Sequence, residues 1–159
     1  CEEGLTILKN SLQINSFRDI ESAADIEPCK RIMTAKVYNC CKYVVEEILR
    51  TKKAAALLQQ NDLAGFGALM FETHEGLSQL YKVSCAELDF LVEQVAAGKN
   101  VIGARMMGGG FGGCTINIVK EATVNNFIEQ VSAAYKKQFN ITMEAYVVET
   151  ADGTDRINE

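Results

Sequence analysis

Five of the six residues in Gly108-Gly109-Gly110-Phe111-Gly112-Gly113 are glycine, and no other stretch limits the fold so strongly. Each glycine in place of alanine adds unfolded-state freedom that folding must remove, about 0.5–1 kcal/mol apiece. A two-residue hairpin turn requires only one or two of them, so the surplus has to have a cause. The flanks read as strands: Val101–Met107 before the run, and Cys114–Val119 after it, where Ile116 and Ile118 alternate with Thr115 and Asn117. A hairpin with a wide tip follows. Gly108, Gly110 and Gly113 also satisfy G-x-G-x-x-G. A dinucleotide site, however, needs such glycines to open a helix whose N-terminus faces the pyrophosphate, and here they open a strand. No Lys-Ser or Lys-Thr pair follows them, which excludes a P-loop. Two explanations stay open. Either the hairpin is bulged and packs under another backbone, or it approaches a ligand or a phosphate loop so closely that a Cβ would collide. Arg105, one pleat before the loop, either brings positive charge near a phosphate or pairs with a carboxylate.

Upstream, the periodicity is helical. Leu5 and Leu8 share one face of a first helix, and a polar stretch from Asn10 to Ser16 separates them from a short segment around Phe17 and Ile20 that Pro28 ends. From about Lys30 to Gln60, Val37, Cys40, Cys41, Val44, Val45, Ile48 and Leu49 recur at three- and four-residue steps, predicting one long core-facing helix. Asn61-Asp62 supplies a break and a new N-cap, and the next helix runs to about Leu80, burying Phe66, Met70 and Leu77. Ser84-Cys85-Ala86-Glu87 has the spacing of a capping box and opens a helix with Leu88, Leu91, Val92 and Val95 on one face, ended by Gly98. After the hairpin, Val124, Phe127, Ile128, Val131 and Tyr135 mark a further helix, and Met143–Glu149 reads as a last strand. The order predicts one α+β domain over residues 1–159, its helices packed on one face of a small antiparallel sheet.

Composition enters by exclusion. Sixteen basic against 21 acidic residues leave a net charge of -5, which argues against a nucleic-acid surface built on clustered Lys and Arg. The pairs Lys52-Lys53 and Lys136-Lys137 read as solvated helix ends. No two of the six cysteines have the C-x-x-C spacing of a zinc or redox motif, so free thiols in a reducing compartment are expected. The one histidine, His74, lies among apolar neighbours and reads as a satisfied core residue, while Asp89 reads as solvated one turn into a capped helix. No apolar run approaches the roughly 20 residues that span a bilayer, and no signal peptide opens the chain, so no membrane partner and a cytoplasmic location are expected. Cys1-Glu2-Glu3-Gly4-Leu5 reads as a helix already in progress, which suggests a piece of a longer chain.

Gly103-Ala104-Arg105-Met106-Met107-Gly108-Gly109-Gly110-Phe111-Gly112-Gly113-Cys114 resembles the third signature of the galactokinase branch of the GHMP kinases. His74 to Leu88, with Tyr81-Lys82-Val83-Ser84-Cys85-Ala86-Glu87-Leu88-Asp89, is similar to the segment before that signature, and Ala151-Asp152-Gly153 to the usual ending. Two departures stand out. Met107 occupies a position where the family usually has Thr, and Lys36 to Lys42 replaces a histidine followed by a Glu-Asn pair. The resemblance implies a ferredoxin-like C-terminal domain and an enzyme that phosphorylates the C1 hydroxyl of galactose with ATP and Mg2+ in a cleft between two domains. It places the catalytic groups and the ATP loop in an N-terminal domain that these residues do not contain. No catalytic residue and no metal ligand is expected here. Met107, Gly108, Gly109, Gly110, Phe111, Gly112 and Gly113 are expected beside the sugar and phosphate, galactose and ATP being bound through the missing domain. The chain alone is expected to be inactive and to self-associate through its exposed seam. Alternatives are a kinase for another sugar, such as N-acetylgalactosamine or arabinose, and a non-catalytic galactose/ATP sensor.

Overall fold

The computed structural model describes residues 1–153, so residues 154–159 of the expected single unit lie outside the described part. The hairpin forms as expected. β1 (Val101–Met107) pairs antiparallel with β2 (Cys114–Val119), Met107 opposite Cys114 and Met106 opposite Thr115, with a register irregularity between Val101 and Gly103. Helices pack on this two-stranded sheet, giving the α+β architecture.

α3 (Leu63–Glu75) lies against β1 at unusually short range. A Cβ on Gly103 would stand 2.5 Å from the Gly67 Cα, and one on Gly67 would run into the Ile102 carbonyl. Two turns further along the same helix, His74 meets Met106, so helix and strand run side by side in one direction. α3 begins where Asn61-Asp62 predicts, Asp62 Oδ1 accepting from the Gly65 amide at 2.8 Å. Its last turn widens into a π-turn, Gly76–Tyr81, which carries the helical run to the expected end near Leu80. Glycine at 76 leaves room for the Tyr43 ring, whose Cδ2 a Cβ there would approach to 2.7 Å.

α4 (Ala86–Ala96) and α5 (Val124–Phe139) complete this layer, with Val92, Val95, Ala104 and Val131 as its buried cluster. A second cluster joins α1 (Glu2–Ser11) to α2 (Ala35–Gln59) through Leu8, Ile26, Tyr38, Cys41 and Val45. Burying side chains of this size contributes about 1.5–3 kcal/mol apiece. Tyr38 and Cys41 show what the Lys36–Lys42 departure does locally, since both are core residues here, and the Tyr38 hydroxyl donates to Glu27 Oε1 at 2.6 Å.

Four expectations are corrected. Pro28 does not end its segment but sits inside a 3-10 helix, Ala23–Ile32, because proline lacks only a donor and its fixed φ suits a helical turn. α2 therefore starts at Ala35 rather than near Lys30, with Thr34 Oγ1 accepting from the Val37 amide at 3.3 Å. The Ser84–Glu87 capping box is not made: Cys85 is the N-cap, no side chain caps the helix, and Ser84 Oγ is buried without a partner. Helix α4 starts one residue later than the motif implies, since the preceding backbone is already committed through the Val83 amide to Leu77 O, 3.1 Å. Met143–Glu149 forms no strand; β-propensity cannot make one without a pairing edge, and Tyr146 there is 78% exposed.

Candidate functional site

The glycine loop projects from the end of the hairpin, and its backbone explains most of its composition. Gly108 has φ +85°, Gly110 +84°, Gly112 +130° and Gly113 +100°, the left-handed half of φ space that L side chains rarely enter. Phe111 also has a positive φ, +59°. Its ring is 77% exposed, and Met107 at the loop's base is 46% exposed. One part of the loop packs under another backbone. The Phe111 amide donates to Val83 O at 2.7 Å, and a Cβ on Gly110 would run into that same carbonyl. The remainder is open, because among the described residues a Cβ on Gly108, Gly109 or Gly112 would meet nothing within 4 Å. Gly109 differs from the rest in having neither a positive φ nor a close neighbour. Packing under Val83 thus accounts for Gly110 and positive φ for Gly108, Gly112 and Gly113, while among the described residues neither applies to Gly109.

Below the loop, β1 is supported along its outer edge. Met106 turns its amide away from β2 and donates to His74 Nδ1 at 3.1 Å, and its carbonyl accepts from Arg105 Nη1 at 3.2 Å. Arg105 therefore caps backbone, and among the described residues no carboxylate lies within ion-pair distance of it. It also lines a groove of about 180 Å³ with Glu47, Arg50, Phe66, Met70 and Thr73. The other charges there are paired: Arg50 with Glu47 and, at 3.4 Å, with Glu72, while Thr73 Oγ1 donates to Glu47 Oε2 at 3.0 Å.

His74 is the satisfied core residue that its neighbours suggest, 6% exposed. Asp89 is not simply solvated. Its Oδ2 accepts from Ser78 Oγ at 3.0 Å, and its buried Oδ1 lies 3.1 Å from His74 Nε2 without the alignment of a hydrogen bond. Burial pushes the imidazole below its ordinary value of 6.5, against the opposing pull of the Asp89 and Glu93 carboxylates. Because the Met106 amide donates to Nδ1, that nitrogen is the acceptor, and a neutral ring carries its proton on Nε2. Sequence reasoning missed this network, since Asp89 follows His74 across a π-turn and a cap, and no local periodicity links the two. The six cysteines are free thiols. Among the described residues no three His, Cys, Asp or Glu side chains converge as a metal site, and no helix is long and apolar enough to cross a membrane.

Residues 54–137 match the family described as GHMP kinases C terminal. The chain is 42% identical over 159 residues to a galactokinase of Clostridium acetobutylicum, covering 99% of this chain and 41% of that protein. It is 36% identical over 154 residues to a galactokinase of Bos taurus, covering 96% of this chain and 37% of that protein. Among solved structures, Lactococcus lactis galactokinase complexed with galactose superposes with a TM-score of 0.84 at 30% identity, over 89% of this chain and 36% of that one. The chain thus spans about two fifths of the length of these relatives.

Proposed function

This chain belongs to the GHMP kinases through their C-terminal domain, and from that premise we propose that it works as the C-terminal part of a galactokinase. Residues 1–159 would act as one unit, forming one wall of a cleft in which the γ-phosphoryl group of ATP passes to the C1 hydroxyl of galactose. Such a transfer needs positioned groups and electrostatic stabilisation more than covalent help from the protein. Met107, Gly108, Gly109, Gly110, Phe111, Gly112 and Gly113 would supply small volume and backbone amides at that wall. The observation that supports this is Gly109. With no positive φ and no neighbour within 4 Å, its missing side chain answers to nothing among the described residues. Space kept for an approaching ligand or a second domain accounts for it. ATP and Mg2+ would be held chiefly by the residues that complete the cleft.

Gly109→Ala in the longer kinase tests the reading. Misplacement at a reacting centre by about 1 Å costs roughly 100-fold in rate, so kcat/KM for galactose should fall on that scale. Undiminished turnover would sink the loop's assigned role. The isolated chain should release no ADP from ATP and galactose above background. Profiling the longer kinase with N-acetylgalactosamine and arabinose beside galactose identifies the sugar, and a preference for either of the first two would replace galactose in this reading.

A further inference from the structure

The loop is fastened at two points, and one of them is a titratable side chain that the proposed chemistry leaves unused. At the tip, the Phe111 amide donates to Val83 O at 2.7 Å. At the base, the Met106 amide donates to His74 Nδ1 at 3.1 Å, one residue before Met107-Cys114, the last ladder pair. Behind the imidazole stand Asp89 Oδ1, 3.1 Å from Nε2, and then Ser78 Oγ, donating to Asp89 Oδ2 at 3.0 Å. Gln79 Nε2 in turn donates to Ser78 Oγ at 3.0 Å. The chain of contacts crosses α3, the π-turn, α4 and β1, four elements whose relative placement decides where the loop points.

We propose that His74 is a positioning residue for the glycine loop, its Nδ1 holding the Met106 amide and so setting the base from which Gly108–Gly113 springs. A packing role alone would ask only for a ring-sized side chain. The geometry asks for more: an acceptor facing a buried backbone amide, on a ring whose other nitrogen lies 3.1 Å from a carboxylate oxygen. Neutral imidazole supplies that acceptor. Protonation would turn Nδ1 into a donor aimed at another donor, leaving the buried Met106 amide unpaired. The charged groups around the ring are Asp89 and Glu93 from α4, which favour protonation, while burial opposes it. From β1, the Arg105 guanidinium sits on the Met106 carbonyl. The π-turn contributes no charge at this contact, only Ser78 and Gln79. Because the folded-state value lies below 6.5, the contribution is present above that pH and is lost as pH falls below it.

Nitrogen-15 NMR of the chain provides the test. The His74 ring should show an unprotonated Nδ1 at neutral pH, and the amides of Met106, Gly108 and Gly110 should shift with the titration of that ring. His74→Gln, whose amide offers both an acceptor and a donor, should keep the loop amides at their wild-type positions and abolish their pH dependence. His74→Ala should move them while amides of the Leu8–Ile26–Val45 cluster stay in place. Loop amides unmoved by His74→Ala, or a protonated Nδ1 in the wild type at neutral pH, would overturn the inference. Its relevance to turnover rests on the galactokinase reading, and the longer kinase separates the two. A loop that moves on His74→Ala, with kcat and KM both unchanged, upholds the positioning role and overturns the loop's place in the site. A fall in kcat that His74→Gln restores supports both.

Discussion

Gly109 and Gly110 are adjacent, yet alanine should affect them very differently. At 110 an alanine would have to hold φ +84° while its Cβ pressed on the Val83 carbonyl. A left-handed residue costs on the order of 1–3 kcal/mol, and here the clash adds to it. At 109 neither demand applies, so the change should stay within about 0.5 kcal/mol, as at an ordinary surface position. Urea denaturation of the two variants compares them directly, and equal losses would show that the loop's backbone is not fixed as described. Tyr38 offers a second measurement. Burial, helped by the hydrogen bond to Glu27, pushes its phenol up to about 12 from 10.0. A raised folded-state value means stability that is complete below pH 10 and is lost as pH climbs toward 12. Tyr38→Phe should remove part of that alkaline loss, although Tyr43, also raised by burial, retains its own share. An alkaline profile unchanged by the substitution would contradict the placement of Tyr38.

At the level of elements, hydrogen exchange should separate the hairpin from the segment after α5. Amides within the ladder between Val101–Met107 and Cys114–Val119 should exchange slowly, those of Tyr146, Val147 and Val148 rapidly. Slow exchange at Val147 would mean that the segment pairs after all. The contrast also shows what a linear pattern can convey. Both hairpin strands are legible to the residue, because alternation and a glycine tip are local signals. So is the Asp62 break, because a cap is decided within four residues. Met143–Glu149 carries the same β-rich signal and forms no strand, since pairing depends on an edge elsewhere in the molecule. Pro28 misleads for a related reason: the rule that proline ends an α-helix does not cover a 3-10 run. Serine at 84 has the spacing of a cap, but the backbone contact between Val83 and Leu77 shifts the helix start by one residue. The loop itself was visible; the distinction between its glycines was not, because φ and the approach of Val83 are tertiary facts.

For the molecule as a whole, the covered share of its relatives has a physical consequence. On the galactokinase reading proposed above, a chain spanning about two fifths of such an enzyme's length would display surfaces that the remainder would meet. Phe111, Tyr146, Val147 and Val148 are each more than two thirds exposed. Apolar side chains at that exposure favour association, so light scattering of the isolated chain should show mass rising with concentration. A constant monomer mass would count against an exposed seam. The contact between α3 and β1 matters differently. Gly67 and Gly103 bring two backbones together with no room for a side chain on either. In a saturation-mutagenesis map scored by growth or turnover, both positions would reject all nineteen replacements and stand out as sharply as a nucleophile. Intolerance there would record the thickness of a helix laid on a strand, and a map read for chemistry alone would place an active site where there is only a seam between two backbones.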